Sequence, residues 1–382
     1  MNEQRRYYFD WAATAPPPPV QKQFDTALLF GNPSSKHTEG RAARESLEES
    51  RRRCAAALDT DTNTTYFTSG ATESNTIALF SILLRQADGI KQTLLTTTAE
   101  HPSVLQNCAT LKQLGIPVYY MDTATYGGAD PEILEKNLHK NTDTTMLAMM
   151  YVNNENGAVS NLNKLVETAR RKSAKKLHIH IDMAQALGKL PLSLRNMDID
   201  SASFSAHKIG GPRGIGILYL RKPLQTLCKG GGQEGGQRPG TENTAGAFYF
   251  AETLETLPVQ KNYNDAVIKM AHLINALRSI DRCTINPEIR ETEDPRFSPY
   301  ILRASFKNAP GEVMQRLLDD EGFAVSTGSA CSSAVKKHPS PKTAADSEEH
   351  DFTSIRISIG RDTQIDEIEQ LIEAIHRVLR QI

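Results

Sequence analysis

The feature that most constrains the fold is a regular alternation of short apolar runs and longer amphipathic segments between residues 64 and 205. The apolar runs have the length of strands, and the segments between them carry apolar residues at helical spacing. This alternation predicts an α/β fold with an open, mostly parallel sheet covered by helices on both faces. The predicted strands are 64–67, 93–97, 117–121, 146–152, 177–182 and, closing the series, 201–205, and the predicted helices are 72–86, 103–114, 162–174 and one that starts at Asp130-Pro131.

The pattern changes after about residue 258, where the strict alternation stops. An amphipathic helix follows Thr363, which with Asp366 forms a pattern typical of a capping box. The length of the chain also favours two domains over one. We therefore predict a large domain that contains this sheet, residues 12–257, and a smaller α+β domain formed by residues 1–11 and 258–382.

Composition excludes several classes of function. The formal net charge is −1, so no basic field attracts nucleic acid or an acidic membrane surface. The most apolar run, 146–152, is too short to span a membrane, and the first residues lack the apolar region of a secretory signal. The chain has five cysteines and no CxxC pair, which argues against a disulfide framework. We therefore expect a reduced, cytoplasmic protein that binds neither nucleic acid nor membrane.

Lys208 is the first candidate for a catalytic group. It follows the predicted strand 201–205 and precedes a glycine-rich run, 210–216, so it lies where a strand ends in a turn. In open α/β sheets, ligands bind beyond the carboxyl ends of the strands. A single lysine in a turn is usually a solvated surface residue, so the assignment depends on other parts of the chain.

Two other strand ends carry suitable chemistry. The block Thr68–Ser74 begins a helix and is either an anion site or a plain helix start capped by Thr72. Asp182 ends an apolar strand and either faces a cation in the ligand crevice or caps a helix. His178 and His180 alternate on that strand without the carboxylate or cysteine spacing of a metal site, so we predict no metal there.

A lysine and an aspartate at strand ends of one sheet are the pair that a pyridoxal phosphate (PLP) enzyme needs. The amine of Lys208 is suited to bind the cofactor covalently, and the carboxylate of Asp182 is suited to pair with its ring nitrogen. Ser205 and His207 beside the lysine are able to hydrogen-bond a phosphate. His101 is either a ring that stacks on a planar cofactor and moves protons or a surface histidine that caps a helix.

Cys331 lies in a run of small residues, 326–333, which is unsuited to core packing. A thiol in such a loop is either an oxidation liability or a nucleophile. Cys54 and Cys108, in contrast, occupy apolar helix positions, and we predict that they are structural. The loop of Cys331 belongs to the smaller predicted domain.

Taken in order, these motifs resemble those of the cysteine desulfurases of the NifS/IscS type, in the class V aminotransferase group of fold-type I PLP enzymes. The resemblance extends from Tyr8-Phe9-Asp10 to about Arg361, and it depends on the ordered set of blocks. The blocks are Gly31-Asn32-Pro33-Ser34-Ser35, Thr68–Ser74, Glu100-His101, Val152-Asn153-Asn154-Glu155, His180-x-Asp182-x-x-Gln185, Ser205-x-His207-Lys208, Arg238-x-Gly240-Thr241, Ser329-Ala330-Cys331 and Ile355-Arg356-Ile357-Ser358.

The resemblance implies a role for each matching site residue. Lys208 would bind the cofactor covalently, Asp182 would pair with the pyridine nitrogen, and Gln185 would hydrogen-bond the ring hydroxyl. His101 would stack on the ring and assist proton transfer, with Asn154 beside it. The other implied contacts are Ala71, Thr72, Ser205 and His207 with the phosphate, Thr241 reaching the phosphate from the partner subunit, and Arg356, helped by Asn32, with the substrate carboxylate.

The implied reaction converts L-cysteine to L-alanine in a homodimer, with the sulfur held as a persulfide on Cys331. A sulfur-acceptor or Fe–S scaffold protein would receive it for Fe–S cluster assembly or tRNA thiolation, and Cys331 is a candidate transient ligand of a cluster. Two alternatives stay open. One is a selenocysteine lyase or another class V lyase or aminotransferase, for which Cys331 is dispensable. The other is a non-catalytic binding protein with this fold, against which Lys208, Asp182 and His101 argue.

Overall fold

The computed structural model describes residues 6–18, 30–327 and 354–382. The first strand, β1 (Tyr7–Tyr8), belongs to a two-stranded sheet, and the next seven strands form the largest sheet of the molecule. In chain order these are β2 (Thr65–Thr68), β3 (Leu94–Thr97), β4 (Val118–Met121), β5 (Met146–Met150), β6 (His178–Asp182), β7 (Ser201–Ser205) and β8 (Gly216–Leu220).

The strand order across this sheet is β2-β8-β7-β6-β5-β3-β4. Strand β8 runs antiparallel to β7 and β2, and every other neighbouring pair is parallel. The prediction of a mostly parallel sheet is confirmed, and the predicted strand bounds agree with the observed ones within about two residues. The helices of this part are α1 (Thr38–Ala57), α2 (Ala71–Ala87), α3 (Pro102–Gln113), α4 (Pro131–Lys140), α5 (Leu162–Lys172) and α6 (Thr244–Glu255).

Alternate residues of the buried strand β5 show that helices cover both faces. Leu147 and Met149 pack into a core with residues of α1, α4, α5 and α6. Met146 and Ala148 point the other way and pack with α2 and α3. Because successive side chains of a strand point to opposite faces, each face of the sheet has its own apolar core.

Strand β8 corrects the prediction that the strand series closes at Ser205. The glycines before it indicated only loop, yet Gly216–Leu220 is buried throughout and pairs with two strands. Gly216 permits this close approach, because a Cβ atom there would lie 2.5 Å from the carbonyl oxygen of Phe204 and 2.5 Å from the Cα atom of Gly70.

A second apolar core lies around a four-stranded antiparallel sheet of order β12-β13-β10-β9. The N-terminal residues Tyr7 and Phe9 belong to this core, because β1 pairs in parallel with β11. The division of the chain at residue 257 stays a prediction that this separation of cores supports. The elements are α7 (Val259–Arg278), β9 (Cys283–Asn286), β10 (Ile301–Phe306), α8 (Gly311–Asp320), β11 (Phe323–Ala324), β12 (Ser326–Thr327), β13 (Ser354–Ser358) and α9 (Ile365–Leu379).

The capping residues of α4 and α9 differ in how well they were predicted. Asp130 caps α4 as expected, since its Oδ1 atom accepts from the backbone N–H groups of Glu132 and Ile133. The capping box of α9 is formed by Gln364 and Glu367, one residue later than the predicted pair. No helix in the described part of the chain is both long and apolar enough to cross a bilayer.

Candidate active site

A cavity of about 520 Å³ opens where β5, β6 and β7 reach their carboxyl ends and α2 begins. This is the edge at which open parallel sheets bind ligands. Most of the predicted site residues meet there. Those that line the cavity are Ala71, Thr72, His101, Asn154, Asp182, Gln185, Ser205, His207 and Lys208.

Lys208 ends a short turn, Ala206–Lys208, that directly follows β7. Its Nζ atom donates to the carbonyl oxygens of Ala12, at 2.8 Å, and Ala13, at 2.9 Å. The turn needs glycine after it, because Gly210 has a φ of +90° and a Cβ atom there would lie 2.5 Å from the carbonyl oxygen of Pro16. The N-terminal segment therefore holds the amine at the cavity wall.

Asp182 is the last residue of β6 and is only 7% exposed. Its Oδ1 atom accepts from the backbone N–H of Ala184, at 3.0 Å, and its Oδ2 atom accepts from Nδ2 of Asn75, at 2.8 Å. The carboxylate therefore lines the cavity and caps a turn, and the alternative that it caps a helix is wrong because the described residues directly after β6 form turns rather than a helix.

His101 caps α3 and also lines the cavity, while its stacking on a cofactor stays a prediction. It is the N-cap of α3, where its Nδ1 atom accepts from the backbone N–H of Ser103 at 3.1 Å and lies 2.9 Å from the Oγ atom of Ser103. Burial lowers the pKa of His101; the nearby carboxylate of Asp182 opposes this effect, and the positive charge of Lys208 adds to it. The ring is therefore neutral at pH 7, with Nδ1 as an acceptor and the proton on Nε2.

The start of α2 forms the opposite end of the cavity. The N-cap is Gly70, with a φ of +153° and no side-chain cap, so the alternative of a helix capped by Thr72 is wrong. Free N–H groups at a helix start attract anions. The hydroxyl of Ser205 lies near Gly70, and burial lowers the pKa of His207 to about 4, which leaves a neutral hydrogen-bonding ring. This end is suited to a phosphate.

Gln185 is held by a lysine that the sequence did not single out. Its Oε1 atom accepts from Nζ of Lys189 at 2.6 Å, and its Nε2 atom donates to the carbonyl oxygen of Ala12 at 2.8 Å. Burial lowers the pKa of Lys189 to about 7, and the charges of Lys208 and Arg356 act in the same direction. In the sequence, the four-residue spacing of Gln185 and Lys189 is the feature that could have indicated this contact.

Arg356, on β13, joins the second core to the cavity through Asn154. Its Nη1 atom donates to the carbonyl oxygen of Asn154 at 3.0 Å, and its Nη2 atom lies 2.9 Å from Oδ1 of Asp10. The Nε atom is buried and has no hydrogen-bond partner among the described residues. Asp10, which is far from Arg356 in sequence, therefore pairs with the residue that we predict to bind the substrate carboxylate.

Three predicted site residues in the described part of the chain do not line the cavity. Arg356 is one of them and reaches the cavity only through its contact with Asn154. Asn32 is exposed, and its Oδ1 atom accepts from the backbone N–H of Ser34. Thr241 is exposed in the segment before α6. Cys331 lies outside the described residues, and the roles of all the predicted site residues remain predictions.

The chain belongs to the class-V aminotransferase family, whose model matches residues 7–371. The cysteine desulfurase IscS of Buchnera aphidicola subsp. Schizaphis graminum is 34% identical over 98% of this chain and 93% of that protein. The cysteine desulfurase IscS of Methanosarcina thermophila is 31% identical over 100% and 93%. A solved NifS-like protein has 30% identity and a TM-score of 0.85 over 99% of this chain and 100% of that one. The resemblance seen in the sequence and the fold class are confirmed.

Class-V aminotransferases depend on PLP, and the cavity fits that cofactor. An amine, a carboxylate and an anion-binding helix start are the three groups that the aldehyde, the ring nitrogen and the phosphate of PLP require. Lys208, Asp182 and the N terminus of α2 supply them in one cavity. The chemistry of the residues present is therefore that of a PLP site.

Proposed function

We propose that this protein is a PLP-dependent cysteine desulfurase, which converts L-cysteine to L-alanine and keeps the sulfur as a persulfide on Cys331. The observation that carries the proposal is that Lys208, Asp182 and His101 line one cavity. They do so in a chain that is similar over nearly its whole length to cysteine desulfurases. The proposed reaction is therefore inferred from the residues of the site and from the relatives together.

Lys208 would bind the cofactor, with Asp182 at the ring nitrogen and the start of α2 at the phosphate. Bound PLP supplies an electron sink that weakens bonds to the α-carbon of an amino acid. Gln185 donates one Nε2 hydrogen to Ala12, which leaves the second for the ring hydroxyl. Its oxygen is already taken by Lys189, so the amide presents a donor to the cofactor.

Arg356 would bind the carboxylate of the substrate, with help from Asn32. Asp10 orients the guanidinium through the contact at 2.9 Å. Because Nε of Arg356 lacks a partner among the described residues, a substrate carboxylate would satisfy a buried donor. A guanidinium is also the cation best suited to two parallel hydrogen bonds with a carboxylate.

The sulfur step balances without an external oxidant or reductant. The thiolate of Cys331 attacks the sulfur of the substrate, and an S–S bond forms while the C–S bond breaks. The electron pair of the C–S bond stays with carbon, which takes up a proton, so that carbon is reduced as sulfur is oxidised. The proton comes from the pool released by the thiols and solvent, while neutral His101 lines the cavity and presents an Nε2–H group that donates a hydrogen bond there.

We further propose a cytoplasmic homodimer that passes its sulfur to an Fe–S scaffold or another acceptor protein. Thr241 is exposed and does not line the cavity of its own chain, which supports its assignment to the phosphate site of the partner subunit. The near-neutral net charge of −1 supports a small-molecule substrate over nucleic acid.

The test is the formation of alanine and sulfide from L-cysteine with a thiol reductant present. Wild type and Cys228→Ala should form both products at the same rate, because the exposed Cys228 lies outside the cavity. Lys208→Ala and Cys331→Ala should each lose activity by at least about a thousandfold. Full activity of Cys331→Ala would contradict the desulfurase assignment and favour a lyase that needs no protein thiol. Wild-type protein without PLP absorbance would favour the non-catalytic alternative.

A further inference from the structure

Asn75 is a buried amide that lies behind the cavity wall. It belongs to α2, four residues after Ala71, and is 0% exposed. It does not line the cavity itself. Buried side-chain amides are costly unless their donors and acceptor are all paired.

The Nδ2 atom of Asn75 donates toward two site residues. One hydrogen bond goes to Oδ2 of Asp182 at 2.8 Å, and the other goes to Oγ of Ser103 at 2.8 Å. The hydroxyl of Ser103 lies 2.9 Å from Nδ1 of His101, which accepts from it. A single amide therefore contacts Asp182 directly and His101 through one hydroxyl.

The orientation of the amide is fixed by its acceptor side. Its Oδ1 atom accepts from Oγ of Ser203 at 2.6 Å and from Nε2 of His180 at 2.8 Å. Burial lowers the pKa of His180 to about 3, so this ring is neutral. Its Nδ1 atom lies 2.8 Å from the hydroxyl of Ser201, and with that hydroxyl as the donor the ring proton lies on Nε2, which donates to Oδ1 of Asn75. Because an ionised Asp182 only accepts, Nδ2 must face it.

We propose that Asn75 is a positioning residue that holds the carboxylate of Asp182 and, through Ser103, the ring of His101 in the orientations that the PLP site uses. Both Nδ2 hydrogens and the Oδ1 atom are occupied, so the amide cannot turn without leaving buried groups unpaired. His180 keeps it from turning through the hydrogen bond from Nε2 to Oδ1, and Ser203 adds a second donor to the same oxygen. The proposal deepens the proposed function and rests on PLP being bound in this cavity.

The test measures PLP itself, without cysteine. Affinity is followed by titration of the apoprotein, and the protonation of the cofactor ring by ¹⁵N NMR of ring-labelled PLP. Asn75→Leu keeps most of the volume of the side chain and Asn75→Ala removes it; both lose the donor to Asp182. We expect both to bind PLP roughly ten- to hundredfold more weakly and to show a less protonated ring nitrogen.

Two serine variants separate positioning from a general effect on stability. Ser203→Ala removes one hydroxyl from the acceptor side of Asn75 while His180 still holds Oδ1, so PLP affinity should stay within about threefold of wild type. Ser103→Ala breaks only the branch to His101, so the ring nitrogen of PLP should stay protonated while the ¹⁵N signals of His101 shift.

Wild-type affinity and ring protonation in Asn75→Ala would overturn the proposal, as would an equal loss of affinity in Ser203→Ala.

A measurement on the wild-type protein tests the proposal even if neither Asn75 variant folds. The two side-chain amide protons of Asn75 should give resolved, slowly exchanging signals that move when PLP is removed, and unmoved signals would contradict the account. Wild type that binds PLP in this way but forms no alanine from cysteine would refute the proposed function alone.

Discussion

The two faces of strands β6 and β7 are both buried, yet they have opposite chemistry. On the face toward α1 and α4–α6, Ile181 and Phe204 pack in an apolar core. On the face toward α2, Asp182 and Ser203 take part in hydrogen bonds around Asn75. Residues adjacent in sequence therefore have different roles. Those on one face pack in the apolar core, and those on the other face orient the polar side chains of the site.

Burial alone therefore does not predict how a substitution changes stability or activity. A residue of the apolar face contributes through the area it removes from water and the space it fills. A residue of the polar face contributes through the direction of its hydrogen bonds, which are worth little in net stability but are costly when half-made. Substitutions on the two faces should therefore separate stability from activity.

The largest effect on stability is expected from Phe204→Ala on the apolar face. Phe204 is 0% exposed, and the variant should lose about 3–5 kcal/mol of unfolding free energy in denaturant titration. The rate of alanine formation per PLP-loaded molecule should remain within about threefold of wild type. A stability loss below about 1 kcal/mol would show that this face is not a packed core.

Asp182→Asn should affect the rate of alanine formation much more than the stability. The neutral amide keeps the shape but not the charge that faces the cofactor ring, so the rate should fall by about a hundredfold or more. Unfolding free energy should fall by about 1–3 kcal/mol, less than in Phe204→Ala, because asparagine offers one acceptor oxygen where Asp182 accepts from both Ala184 and Asn75. Asp61→Asn at an exposed position is the control and should change neither quantity. A rate within threefold of wild type would remove Asp182 from the site.

Glu100 allows a test by pH on the polar side of the molecule. Burial raises the pKa of Glu100 to about 8, and Thr97 donates to its Oε1 atom at 2.6 Å. In the unfolded chain its pKa is about 4.3, so between these values the folded state holds a proton that the unfolded state lacks. Stability from this group is therefore complete below about pH 4.3 and is lost as pH rises toward 8, by about 1.4 kcal/mol per pH unit.

Glu100→Gln removes this dependence while keeping an acceptor for Thr97. The unfolding free energy of the variant relative to wild type should rise by about 2 kcal/mol between about pH 6.5 and about pH 8. Buried His178 and His180, whose pKa values burial lowers to about 4 and about 3, contribute the same pH dependence to both proteins and cancel in the difference. Parallel stability curves for the two proteins would contradict this reading.

The smallest effect is expected from Ile181→Val, next to Asp182 in sequence but on the apolar face. Loss of one methylene should cost about 0.5–1.5 kcal/mol of unfolding free energy and leave the rate unchanged. A rate that falls severalfold without a loss of stability would mean that the apolar side also positions Asp182. The two faces would then not be independent.

Much of the fold was predictable because it depends on local patterns. Alternation located the strands of the large sheet, and the bounds of β7 agree with the prediction at both ends. Strand β8 was missed because its flanking glycines are typical of loops, although its pairing partners make it part of the sheet. The cap of α9 was displaced by one residue, since Thr363 instead accepts from the backbone N–H of Gly360.

The site was predictable where its residues end strands and less so where they come from elsewhere. Asp182 and Lys208 follow strands of one sheet, which brings them together by topology. Asn75 was missed because a polar residue on a helix is usually solvated, and only the contact of α2 with β6 and β7 shows that it is buried. The pairing of Asp10 with Arg356 joins distant parts of the chain, which no local pattern reports.

In the proposed reaction, Lys208 prepares the substrate and Cys331 takes its sulfur. Mass analysis of the peptide that contains Cys331, after incubation with L-cysteine and without reductant, tests this division of roles. One added sulfur atom is expected on that peptide in wild type and Cys228→Ala, and none in Lys208→Ala. Alanine formed at the wild-type rate by Cys331→Ala, with no sulfur added to the wild-type peptide, would refute the proposed reaction.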